Sequence, residues 1–115
     1  MSTKKLIEEH LSALQRGDLN AVMADYSDDA ILIFSGGIIE GKEALSGLFN
    51  QFLSEIIPAD KTQWNVGVVT VARDIGYVKW TAVSDTHKID FASDTFIIAD
   101  GKIVAQTSVG EMSVK

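Results

Sequence analysis

Apolar residues recur along this chain with two periods, helical at first and then alternating. Leu6, Ile7, Leu11 and Leu14 fall at helical spacing, which predicts a first helix with one apolar face. Ser2 and Thr3 can cap its start. His10 lies four residues after Leu6 and four before Leu14, so it sits on or beside that face. Gly17 can take the left-handed conformation that ends a helix, and Asp18 can cap the next one. Leu19, Val22, Met23 and Tyr26 then form the stripe of a shorter second helix, which Ser27-Asp28-Asp29 stops. Ala30 to Phe34 begins a sheet. Ser35-Gly36-Gly37 can reverse the chain, and Ile38 to Glu40 returns as a second strand. Leu45, Leu48, Phe49, Phe52, Leu53 and Ile56 mark a third helix, barred from continuing by Pro58. Gly47 inside it costs about 1 kcal/mol against alanine, and a close approach by another backbone would explain it.

From Lys61 onward the residues favour strands. Gln63 to Ala72, Ile75 to Ser84, Ile89 to Ala99 and Lys102 to Ser113 are rich in Val, Ile, Thr and aromatics. Short turns join them, which implies antiparallel pairing. Helices followed by a long meander make an α+β pattern. The run from Val66 to Ala72 is apolar on both faces, as expected where both faces of a sheet are covered.

Four short stretches resemble one family when taken in order. These are Gly17-Asp18-Leu19, Tyr26-Ser27-Asp28-Asp29-Ala30, Gly41-Lys42-Glu43-Ala44-Leu45 and Asp100-Gly101-Lys102-Ile103. Together they resemble the NTF2-like superfamily, in the branch that holds SnoaL-like polyketide cyclases and ketosteroid isomerase. The resemblance implies a single domain over residues 1–115, with three N-terminal helices packed in a strongly curved, mainly antiparallel sheet. That sheet forms a cone whose open end is a pocket. It also implies a homodimer through the outer sheet face.

Composition narrows the partners. A chain of 115 residues with 46% hydrophobic residues can fill one core and line a cavity besides. A formal charge of −6 argues against nucleic acid or an anionic membrane surface as partner. The sequence has no cysteine, hence no disulfide or thiol nucleophile. The N-terminus lacks the apolar stretch of a signal peptide, so a cytoplasmic protein is the expectation.

Asp94 is the first candidate for chemistry. Alternation places it on one strand face with Phe96 and Ile98, where a carboxylate is costly unless paired. It is either a pocket acid or an outward residue at a sheet edge or dimer rim. The resemblance favours the pocket, because ketosteroid isomerase keeps a buried aspartic acid on this strand that donates a hydrogen bond to the substrate oxyanion. His10 is the second candidate. It matches the catalytic tyrosine of that enzyme, and either meets a ligand oxygen near Asp94 or sits at the stripe's edge bonded to a carbonyl or to solvent.

The general base of ketosteroid isomerase carries over onto Phe34, which takes no proton, so steroid isomerisation by that route is not expected. SnoaL-like cyclases, by resemblance, manage with a single acid/base residue in a hydrophobic pocket. Tyr26, Phe34, Phe49, Trp80 and Phe96 are candidate pocket walls, with plain core as the alternative. Trp80 shares a strand face with Val78 and Ala82. Asp85, His87 and Asp90 cluster at a turn, but no ligand spacing or cofactor motif accompanies them. Neither a metal nor a cofactor is expected. The reading is a pocket for a small hydrophobic, carbonyl-bearing molecule, with Asp94 and His10 supplying acid/base chemistry, or else a non-catalytic binding or dimerisation module.

Overall fold

The first helix, α1 (Thr3–Arg16), starts where the Ser2 hydroxyl accepts from the Lys5 amide at 3.1 Å. It ends at Gly17, whose φ of 69° turns the chain so that the Asp18 amide reaches the Ala13 carbonyl. The Asp18 carboxylate then caps α2 (Leu19–Ala24) by accepting from the Ala21 amide. Both caps fall where the sequence placed them, because capping depends only on neighbours. This computed structural model describes residues 2–115.

Next come β1 (Tyr26–Phe34), β2 (Gly37–Glu40) and α3 (Lys42–Gln51), followed by β3 (Gln63–Val66), β4 (Thr70–Ala72), β5 (Ile75–Val83), β6 (His87–Ala99) and β7 (Lys102–Val114). The result is an α+β fold with one curved, unclosed sheet in the order β2-β1-β7-β6-β5-β3, with β4 also on β5. Every pairing is antiparallel except β1 with β7. The helices do not all precede the sheet, since the β1–β2 hairpin comes before α3. Helix α1 packs on the inner sheet face at Gly76. A Cβ there would lie 1.9 Å from the Ile7 Cδ1 atom, so any larger residue would force this buried side chain to shift.

Three expectations need correction. Tyr26 opens β1 instead of closing α2, because it pairs with Ile103 and the Asp25 carbonyl accepts from the Ile103 amide at 2.7 Å. Long-range pairing overrides local helical spacing here. The run Gln63 to Ala72 is two strands, not one. Val66 pairs with Trp80 and Thr70 with Tyr77, so three residues stand against two, and Gly67 bonds back to the Lys79 carbonyl. The extra residue shifts the alternation. Val66, Val69 and Val71 pack on the core while Val68 is exposed, which explains the two-sided apolarity without a second covered face.

Finally, apart from its chain neighbours and the nearby backbone of its own helix, no atom of the described residues lies within 4 Å of where a Gly47 Cβ would sit, so no approach by another backbone explains this glycine. Gly47→Ala is therefore expected to stabilise the protein by about 1 kcal/mol, read as a higher urea midpoint. An unchanged or lower midpoint would contradict this.

The end of α3 matters for the site. Its stripe continues through Phe52–Ile56, but as one wider π turn closed by the Ile57 amide on the Phe52 carbonyl. Phe52 and Ile56 from this turn face the cavity described next.

Candidate functional site

Between the helices and the inner sheet face lies a cavity of about 310 Å³. Leu11 and Leu14 of α1, Leu32 and Phe34 of β1, and Leu48, Phe49, Phe52 and Ile56 form one side. The sheet supplies Trp64, Trp80, Ile89, Phe96 and Met112. Asp94 is the one ionisable side chain among the lining residues; Ser35, Gln106 and Ser108 are the neutral polar ones.

Asp94 is placed by strand alternation. Ala92, Asp94, Phe96 and Ile98 all point inward from β6, as Val78, Trp80 and Ala82 do from β5. The carboxylate is 7% exposed and paired on both oxygens. Trp80 Nε1–H donates to Oδ2 at 2.8 Å, and Gln106 Nε2–H donates to Oδ1 at 3.0 Å. Both donors come from diagonal neighbours, since Asp94 itself pairs with Val78 and Ser108. This answers the cost of burying a carboxylate among apolar residues. The ring of Trp64 lies 4.7 Å from that of Trp80 and tilted by 33°. Its buried Nε1–H has no partner among the described residues.

His10 does not line this cavity. It is wholly buried one layer behind, edge-on to Tyr26 and Phe96. Its Nδ1 lies 2.8 Å from Asp25 Oδ2, and its Nε2 lies 3.3 Å from the Tyr26 hydroxyl. Tyr26 likewise keeps its hydroxyl out of the pocket and donates it to Gln106 Oε1 at 2.5 Å. The two expected partners, Asp94 and His10, are thus joined indirectly, through Tyr26 and Gln106. Phe34, Phe49, Trp80 and Phe96 do line the pocket. Phe34 is 39% exposed at the cavity's edge.

Two members of this network, Asp25 and Gln106, escaped the sequence reading. Asp25 follows α2 directly, and nothing local sets it apart from Asp28 and Asp29. Those two are exposed. Gln106 was hidden by a bulge. Ile97 pairs with Ala105 but Ile98 pairs with Ile103, so Val104 is an extra residue in β7. Plain alternation from Ile103 points Gln106 outward; the bulge turns it in. Among the described residues no group of His, Cys, Asp or Glu is arranged to hold a metal, and no helix is long and apolar enough to cross a membrane.

Burial pushes the Tyr26 phenol well above its ordinary value, and the negative charges of Asp94 and Asp25 push it further. In the unfolded chain this phenol ionises near pH ~10. Above that pH the unfolded state binds fewer protons than the native one, so native stability should fall as pH rises toward the raised value. Below it, nothing is lost. Tyr26→Phe should flatten this alkaline decline in urea unfolding measured across about pH 9 to 11. An equally steep decline in the variant would contradict the assignment.

The architecture defines an NTF2-like protein. A family model described as a SnoaL-like domain matches residues 7–106, and the chain belongs to that family. A search of curated proteins found no match. Among solved structures, the chain is similar to the epoxide hydrolase/cyclase-like enzyme SalBIII, described in pyran ring formation in the polyether salinomycin. That match has 20% identity and a TM-score of 0.81, and covers 98% of this chain and 95% of that one. It is similar also to an LEH-like epoxide hydrolase of M. tuberculosis, with 17% identity and TM-score 0.73, covering 95% and 82%. An NTF-2 like protein of unknown function from Burkholderia xenovorans LB400 matches at 20% identity and TM-score 0.79, covering 95% and 82%. At these identities the likeness concerns the fold, and the site must speak for itself.

Proposed function

We propose that the cavity binds a small, uncharged, largely hydrophobic molecule bearing a carbonyl oxygen, and that Asp94 acts on it as an acid/base group. The reaction class is isomerase, cyclase or dehydratase chemistry without a cofactor. One observation carries this reading: among the described residues Asp94 is the single ionisable side chain in a mostly apolar cavity. Among the described residues no lysine or arginine lines the cavity, which disfavours anionic ligands. Hydrogen bonds to a developing enolate would be strong in such a low-dielectric site. Phe34 disfavours the route of ketosteroid isomerase. Each Asp94 oxygen accepts one hydrogen bond, from Trp80 or Gln106, and keeps a lone pair for a ligand, which fits a base better than a neutral donor.

Thermal shift and native mass spectrometry against neutral cyclic ketones and enones test the pocket. A hit that weakens when the wall is filled by Ala92→Phe supports it. Anionic analogues binding as well as neutral ones would count against it.

The non-catalytic alternative rests on a second observation. Register places Ile38, Ile33, Thr107, Thr95 and Tyr77 in one row across the outer sheet face, and Ile31, Ala105, Ile97 and Ile75 in the next. Ile33, Ile38, Ile75, Tyr77 and Ile97 are all exposed there. We propose that a second copy of the chain covers this face, as expected from its contiguous apolar rows. Light scattering should give a dimer at micromolar concentration and a monomer for Ile97→Lys. A wild-type monomer would remove the proposal.

A further inference from the structure

We infer that Asp94, Gln106, Tyr26 and His10 form one hydrogen-bond chain of reversible polarity, in which the pocket carboxylate dictates whether His10 carries a proton on Nε2. This deepens the role given to Asp94 above, and makes Gln106, Tyr26 and His10 positioning residues for it.

Each link in the chain has room for one proton, and the donor inventory leaves little choice. An ionised Asp94 only accepts, so the NH2 end of Gln106 must face it, as it does at 3.0 Å. The amide oxygen is then turned to Tyr26. An amide oxygen also only accepts, so the phenol proton goes to it across 2.5 Å. The Tyr26 oxygen is left to accept, and the group opposite, 3.3 Å away, is His10 Nε2. That nitrogen must therefore carry hydrogen. On the other side Nδ1 faces the Asp25 carboxylate at 2.8 Å. Every donor in the chain points the same way, from an imidazolium toward the pocket carboxylate.

Protonating Asp94 permits the mirror arrangement. The amide of Gln106 turns over, its NH2 end donates to Tyr26, and Tyr26 donates to a bare Nε2. His10 is then neutral, with Nδ1–H on Asp25. The two arrangements contain the same number of protons and the same total charge. In one, Asp94 is negative and His10 positive; in the other both are neutral. The dry core never holds an uncompensated charge. The combination excluded is an ionised Asp94 with a bare Nε2, because two acceptors would then face each other across one buried link.

The surroundings leave the polarity to Asp94. His10 meets Asp25 beyond α2, Tyr26 of β1 and Phe96 of β6. Glu9 and Arg16 of α1 line a shallow outer cleft with Asp25, whose side chain is 20% exposed. Around Asp94, Trp80 supplies a fixed donor.

Nitrogen-15 NMR of the imidazoles in the full chain tests this, with His87 as the internal reference and no ligand present. Near neutral pH, with the Asp94 carboxyl carbon showing the ionised form, His10 Nε2 should be protonated. Gln106→Leu frees the Tyr26 proton, so Nε2 should lose its hydrogen at the same pH. A bare Nε2 beside an ionised Asp94 in the unaltered protein overturns the proposal without any variant. So does a protonated Nε2 that persists in Gln106→Leu with dispersed amide signals, since Asp25 alone would then hold the imidazolium. The readout needs neither ligand nor turnover. Its failure would leave the pocket reading standing, and a failed ligand screen would leave the chain standing.

Discussion

Asp94→Ala is expected to lower turnover of a neutral ketone by about 10²–10⁴-fold, the usual reach of one general acid–base group. No other ionisable side chain in the cavity can take its place. The assay is wash-in of deuterium from solvent at the carbon beside the carbonyl, which reports proton abstraction whatever the later steps. The truncation leaves Trp80 Nε1–H and Gln106 Nε2–H facing space that water can enter, so the fold should survive. Asp94→Asn keeps the shape but not the basicity, and should be as slow while still binding the ketone. Exchange at the wild-type rate in both variants would sink the catalytic reading. Bound ketone with no exchange in the wild type would favour the binding module.

The largest loss of stability should come from His10→Ala, by about 3–5 kcal/mol of unfolding free energy in urea. His10 is completely buried, and its ring packs edge-on against Tyr26 and Phe96. Removing it opens a void and leaves the Tyr26 hydroxyl and the Asp25 carboxylate each short of a partner. A domain of this kind has about 5–15 kcal/mol in total, so the variant should be close to unfolding. The companion is His87→Ala. That histidine sits at the start of β6, and its ring meets only the hydroxyl of its neighbour Thr86 while its backbone bonds to Ser84 survive the truncation, so its loss should stay within about 0.5 kcal/mol. Equal losses for the two histidines would mean that the network behind the pocket contributes little.

Neither prediction could have been made from the sequence in this form. The sequence identified Asp94 and His10 as polar groups on apolar faces, which is a local statement. It expected them to meet at a ligand. What separates them is a layer made by Tyr26 and Gln106, whose placement depends on a parallel strand pairing and on a bulge. Asp25 shows the same limit, since nothing local distinguishes it from Asp28 or Asp29.

The local devices were nonetheless legible. Ser2, Gly17 and Asp18 cap and break the helices through contacts only a few residues apart. Strands β5 and β6 follow the alternation that put Trp80 and Asp94 inside, because their inner-face pattern holds through both residues. The change from helical to alternating periodicity marked an α+β chain. These features depend on spacing along the chain, so the chain by itself determined them. The slip at Gly67, the bulge at Val104 and the parallel pairing of Tyr26 with Ile103 depend on strands distant in sequence. A single extra residue in a strand moves everything after it to the opposite face, and only the partner strand says where that residue goes. Which polar groups touch, and which one faces the cavity, was therefore decided by the tertiary structure alone.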